Sequence, residues 1–260
     1  MVIHMSENEN KVRSLSKAVD LLDILSSDLN GLKLGDLSER SGYPKSTVHA
    51  LLSTMRDRRL IAQRDDGRYT LGIRLFEYGS AVSRGFDISS LSRPYLERLA
   101  SLTGANAVIA MIDSSGVVAF DYAASSTGIQ IMPEIGVRLP LHATSQGKIA
   151  LASLTDKAAE RLLKRRGIQP YTPHTVADID ALLRELSRVR EQGYAVEDGE
   201  YKIGLRSVSA PVYDSSGATR YVLTTIGFFR RATSDDFLSA VAHTVEQAKR
   251  LSAALGYQKL

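Results

Sequence analysis

The chain has no cysteine. Disulfides and thiolate catalysis are therefore excluded, and a reducing, cytoplasmic setting is expected. No apolar run approaches the roughly 18 residues that suggest a membrane span. Met1 to Lys11 is polar and lacks the apolar core of a signal peptide, so residues 1–12 are expected to form a disordered tail. The common catalytic signatures are missing as well. There is no Gly-x-Ser-x-Gly, no His-Glu-x-x-His and no Gly-x-x-x-x-Gly-Lys-Ser/Thr. The five histidines are scattered, and no pair has metal-ligand spacing; His142 reads as a residue that orients a loop. Ser145-x-x-Lys148 and Ser14-x-x-Lys17 match the Ser-x-x-Lys of penicillin-binding enzymes, but the companion Ser-Asp-Asn and Lys-Thr-Gly motifs are absent. An enzyme is not expected, and neither is a cofactor or a metal.

What is present is an ordinary globular composition. The 260 residues suffice for two domains, with 43% hydrophobic and 24% charged residues. The net charge of +4 is mild, but it is unevenly placed. Between Arg40 and Arg74 lie eight basic residues and three acidic ones (Asp57, Asp65, Asp66). A local basic face of this kind suits a polyanion, although a solvated charged surface would read the same way.

The amino-terminal part reads as three helices and a hairpin. Ala18, Val19, Leu21, Leu22 and Leu25 stand near helical spacing across Ser16 to Ser26, and Gly31 ends the segment. Leu34 to Ser41 is a short second helix, and Gly42-Tyr43-Pro44 a tight turn. Val48, Leu51, Leu52 and Met55 give the third helix, Lys45 to Arg58, one apolar face. Leu60-Ile61-Ala62 and Arg68-Tyr69-Thr70-Leu71 are strands about an Asp65-Asp66-Gly67 turn. This order is a winged helix-turn-helix, whose third helix would offer its first residues to base edges. Those residues are Lys45, Ser46, Thr47 and His49, while Arg64 and Arg68 flank the wing. Ser46 and Thr47 could instead only cap the helix. These residues, over 13–71, make double-stranded operator DNA the expected partner, with a dimerising winged-helix scaffold that reads no DNA as the alternative.

Leu71, Leu75, Tyr78 and Val82 form a narrow apolar stripe on a linker helix near Gly72 to Ser83, as self-association or packing on its own domain would require. The linker is assigned to 72–88, with the boundary near Arg84-Gly85, and a sensor domain to 89–260. A further helix runs from Ser89 to Thr103. Two hairpins share one turn chemistry. Strands 107–112 and 117–122 flank Asp113-Ser114-Ser115-Gly116, and strands 208–213 and 219–226 flank Asp214-Ser215-Ser216-Gly217. Helices are expected near 145–154, 155–165 and 176–192, and an amphipathic one over 234–255. An antiparallel sheet with helices beside it is an α+β domain.

The chain resembles the IclR family of transcriptional regulators. The resemblance rests on Ser16-Lys17-Ala18-Val19-Asp20-Leu21-Leu22, Pro44-Lys45-Ser46-Thr47-Val48-His49, Leu139-Pro140-Leu141-His142-Ala143-Thr144 with Gly147-Lys148, Gly193-Tyr194-Ala195-Val196-Glu197-Asp198 and Gly204 to Val212. It implies a winged helix, a linker helix and a GAF- or PAS-like sensor domain, in a homodimer or dimer of dimers with no membrane association. It implies a small-molecule effector, an organic or aromatic acid or related catabolite, held by Ser145, Gln146, Glu197, Ser207, Thr224 and Ile226. Two residues depart from the pattern. Ala50 and Lys17 stand where the family often has Arg, which puts individual DNA contacts in question. Thr144 or Ser145 would cap a helix whose first amides suit a carboxylate. Ile226, in a place where hydroxyls are frequent, points to an acid larger or more apolar than the shortest keto acids.

Overall fold

A computed structural model describes residues 12–28, 30–85, 88–113, 115–125, 131 and 133–258, with the side chains of 80 and 82–85 left out. Residues 1–11 of the tail expected over 1–12, Ser114 of the first turn and the Val82 side chain lie outside the described residues. The chain divides into two compact units, 1–87 and 88–260.

In the first unit, α1 (Arg13–Ser26), α2 (Leu34–Ser41) and α3 (Lys45–Asp57) precede β1 (Ile61–Gln63), β2 (Tyr69–Leu71) and α4 (Ile73–Gly85). Leu21 and Leu25 of α1, Leu37 of α2 and Val48, Leu52 and Met55 of α3 close one core with Leu32, Ile61 and Tyr69. Their steps of three, four and seven place each set on one helical face, as the apolar pattern requires. Gly42 ends α2 in the left-handed region at φ 70°, where an L side chain would be strained. β1 and β2 pair antiparallel, Ile61 with Leu71 and Gln63 with Tyr69, and Leu32 adds a bridge to Tyr69. A side chain at Gly31 would meet the Tyr69 carbonyl at 2.7 Å, so the wing strand passes too close for anything larger.

The second unit begins with α5 (Ile88–Thr103), β3 (Asn106–Asp113), β4 (Gly116–Ala123) and β5 (Arg138–Leu139). Then come α6 (Ser145–Ala152), α7 (Asp156–Arg166), α8 (Ile179–Gln192), β6 (Ala195–Asp198), β7 (Arg206–Tyr213), β8 (Thr219–Gly227) and α9 (Asp235–Ala254). The strands form one antiparallel sheet in the order β5-β4-β3-β8-β7-β6. Along β3 the side chains alternate. Ala107 and Ile109 join Leu96 and Leu99 of α5 and Leu251 of α9, whereas Val108 and Ala110 join Leu151, Leu163, Leu182 and Leu186 of the other three helices. The sheet is thus covered on both faces, an α+β arrangement. No described helix is long and apolar enough to cross a membrane.

The helix expected from 176 starts only at Ile179, because the Asp178 carboxylate accepts from the Ala181 amide at 2.7 Å and sets the cap there. The two edge strands β5 and β6 lie outside the expected set of strands. Strand β5 has two residues. Strand β6 has four, and one of its inward positions carries a carboxylate, Glu197, rather than an apolar side chain.

Candidate functional site

The start of α3 presents a polar edge. Lys45, Ser46 and His49 are exposed and Thr47 is half-buried. The helix is entered through Pro44, and no side chain caps it, so the Ser46 and Thr47 hydroxyls are not spent on capping. Among the described residues none of these four side chains has a hydrogen-bond partner. The Tyr43 turn before them is pinned. Its hydroxyl donates to Asp20 at 2.5 Å, its carbonyl accepts from Ser38 at 2.7 Å, and the Lys17 ammonium lies 5.0 Å from its ring. The wing arginines are already engaged. Arg64 donates to the Asn30 carbonyl at 3.0 Å, and Arg68 to the Gly31 carbonyl at 2.9 Å while pairing with Asp66 at 3.4 Å. Both brace the wing against the loop between α1 and α2. Leu71, Tyr78 and, beside the expected stripe, Ile73 and Phe76 are exposed on or next to α4, while Leu75 is half-buried.

In the second unit a cavity of about 70 Å³ opens between the sheet and the start of α6. Of the six residues the resemblance pointed to, Gln146, Glu197, Ser207 and Ile226 line it. The register explains the pairing, since Ser207 sits opposite Ile226 and Ser209 opposite Thr224. Ser145 and Thr224 lie behind the wall, joined in one hydroxyl chain. Ser145 Oγ is 2.7 Å from both Ser207 Oγ and Ser209 Oγ, and Ser209 Oγ is 2.8 Å from Thr224 Oγ1. Thr144 caps α6 by accepting from the Gly147 amide at 3.1 Å, which leaves the Ser145 hydroxyl for that chain. The amides of Ser145 and Gln146, first in the helix, have no intrahelical acceptor. Gly147 is required by contact: a Cβ there would meet Leu141 Cα and its carbonyl at 2.4 Å.

Glu197 is 3% exposed, yet its carboxylate is well supplied with donors. Its Oε1 accepts from the amides of Glu200 at 2.8 Å and Tyr201 at 3.1 Å, and its Oε2 from Ser207 at 3.1 Å. Burial outweighs these bonds and lifts its carboxyl to about 7, with nearby Glu200 adding to the rise. Lys148, fully buried, binds Glu185 at 2.7 Å, Glu200 at 2.6 Å and the Val196 carbonyl at 3.1 Å. Glu200 Oε2 is buried with no hydrogen-bond partner among the described residues, and burial raises its carboxyl too.

Residues the sequence reading did not single out complete the walls. Val108, Ala119, Leu139 and Leu205 are apolar, and Glu134, Tyr201 and Lys202 bring polarity, Lys202 pairing with Glu134 at 3.2 Å. Inward alternation along β3 and β4 was the only signal for the first two. Lys148 and Ser145 make no bond to each other, because each is held by other partners, so the Ser-x-x-Lys spacing does not form a catalytic pair. His142 meets the Gln169 carbonyl at 2.8 Å and stacks on Tyr171.

Two family models match the chain: the IclR helix-turn-helix domain over residues 14–65 and the bacterial transcriptional regulator IclR C-terminal domain over 80–253. The transcriptional regulator XynR of Escherichia coli is 30% identical over 247 residues, covering 95% of this chain and 98% of its own. An IclR transcriptional regulator from Alicyclobacillus acidocaldarius shares the fold with a TM-score of 0.81 at 27% identity, covering 95% and 100% of the two chains. An IclR homologue from Microbacterium hydrocarbonoxydans, solved in complex with 4-hydroxybenzoate, aligns with a TM-score of 0.77 at 22% identity, covering 93% and 98%.

Proposed function

Because the chain belongs to the IclR family of bacterial transcriptional regulators, we propose that it reads an operator through Lys45, Ser46, Thr47 and His49 and answers to a small organic acid held in the cavity beside α6. The chain is a transcriptional regulator with a helix-turn-helix and a carboxy-terminal ligand-binding domain. As a DNA-binding protein it would act in the cytoplasm. The DNA reading is supported by four polar side chains with no internal bond at the start of α3, between a pinned turn and a braced wing. Arg64 and Arg68, held at the wing by these bonds, would place positive charge where phosphates pass. Exposed Leu71, Ile73, Phe76 and Tyr78 support self-association through α4.

One observation carries the effector reading: the start of α6 and the Ser207 end of the hydroxyl chain meet a pocket with one apolar wall. The first amides of a helix favour a carboxylate, and the Val108, Ala119, Leu139, Leu205 and Ile226 side chains favour a sizeable apolar body beyond it. An aromatic or branched acid suits this better than glyoxylate or pyruvate.

A mobility-shift titration on duplex from the gene's own upstream region tests the DNA half. Binding should weaken with salt with a log-log slope of about −0.9 per phosphate neutralised. No shift at low salt, with and without candidate acids, would remove this reading in favour of a scaffold. Calorimetry tests the other half. Tight pyruvate binding with no aromatic acid bound would overturn the size preference, and Ile226→Ser should shift affinity toward the shorter, more polar acids.

A further inference from the structure

Any carboxylate seated on the α6 amides must share the cavity with Glu197. The Ser207 hydroxyl, on the same wall, lies 3.1 Å from Glu197 Oε2 and 2.7 Å from the side-chain hydroxyl of Ser145, the first residue of the helix. Two ionised carboxylates cannot sit so close in a low-dielectric pocket without a cation between them. No described cation is available for that task. Lys148 on α6 is committed to Glu185 of α8 and to Glu200, and Lys202 on Glu197's own loop pairs with Glu134 ahead of β5. Burial raises the ionisation of the Tyr201 hydroxyl, so it brings no charge; the Tyr171 ring meets Tyr201 edge-on, and His174 lies against Gly199. β7 and β8 present hydroxyls and Ile226, and β3 and β4 apolar side chains.

We infer that the effector enters as an anion together with one proton, which Glu197 holds on Oε2 and donates to the ligand's carboxylate. This rests on the reading of the cavity as the effector site. The balance is simple: the ligand arrives ionised, Glu197 takes a proton from solvent, and one O–H···O⁻ bond replaces a repulsion. Oε1 stays on the Glu200 and Tyr201 amides, so the proton falls to Oε2, which meets the Ser207 hydroxyl at the cavity wall. Burial already holds this carboxyl near 7, so the free protein carries a partly occupied proton site that the ligand's charge fills.

The test is calorimetry on the full chain with benzoate, 4-hydroxybenzoate and neutral benzamide, in buffers of different ionisation enthalpy. Near pH 8 each bound acid should take up close to one proton, and near pH 6 less than half of one, since Glu197 is by then mostly protonated. Affinity for the acids should fall about tenfold per pH unit above 7.5, and benzamide binding should be flat. Glu197→Gln should abolish both the uptake and the slope, because its amide donates at every pH. Acid binding at pH 8 without proton uptake would overturn this inference and leave the cavity reading intact. Acid binding unchanged by Ile226→Trp, which fills the cavity, would overturn the cavity reading instead. Failure of both acids to bind at any pH would overturn both. Should the Gln variant not fold, the proton count on the unaltered chain still decides.

Discussion

Glu197→Gln should make the ligand-free protein more stable at alkaline pH and leave it nearly unchanged in acid. The carboxyl ionises near 4.5 in an unfolded chain and near 7 in the fold, where burial opposes the charge. Below about pH 4.5 both states are protonated and the side chain costs nothing. As pH rises through that window the unfolded chain releases its proton first, so stability is lost until the folded carboxyl ionises as well. Each pH unit is worth about 1.4 kcal/mol, so the cost above pH 7 reaches about 3 kcal/mol. Glutamine keeps an acceptor for the Glu200 and Tyr201 amides and turns the Ser207 hydroxyl into an acceptor, so the bonds survive without the charge. Urea unfolding of the ligand-binding unit's transition at a series of pH values measures the difference. It should be within about 0.5 kcal/mol at pH 4.5 and about 3 kcal/mol in favour of the variant at pH 8. A difference that stays constant across this range would refute the assignment of the raised ionisation to Glu197.

Lys148→Met removes the single cation from a site with two carboxylates, and should cost about 3–5 kcal/mol at pH 8 by the same unfolding assay, less in acid as Glu200, whose carboxyl burial already raises, protonates. Gly147→Ala should prevent the ligand-binding unit from reaching its native near-ultraviolet signal, since the added methyl would overlap Leu141 backbone; a native-like spectrum would show that α6 can lift away. Replacing Lys45 or Thr47 by Ala should cost about 1–3 kcal/mol on the preferred operator and relax specificity, read by mobility shift. Arg68→Ala should weaken binding to every sequence alike and lower the melting temperature of the DNA-binding unit, because the Gly31 carbonyl loses its donor.

Much of the fold was legible because it is written in period and punctuation. Val48, Leu52 and Met55 announce a buried helical face, and at both Asp-Ser-Ser-Gly segments the Asp carboxylate accepts from the amide two residues on, at 2.7 and 2.8 Å. The polar start of α3 could be placed for the same reason: Pro44 shows where the helix begins. The cavity was only half legible. Gln146, Glu197, Ser207 and Ile226 came from resemblance, and no spacing rule could have joined positions so far apart in the chain. Strand β6 was hidden by the very residue that matters, since a carboxylate on an inward position breaks the apolar alternation that marks a strand. Lys148 was noted as one half of a catalytic spacing, whereas its partners, Glu185 and Glu200, lie 37 and 52 residues away. Long-range charge pairing leaves no local trace.

The Lys148 ammonium ties three pieces of chain at one point: its own helix, the middle of α8, and the Val196 carbonyl and Glu200 carboxylate on either side of Glu197. A ligand that pulled on Glu197 would therefore pull on a rivet rather than on a loose loop. A displacement at the cavity floor would load two helices at once, because the strand edge, α6 and α8 share that one ammonium.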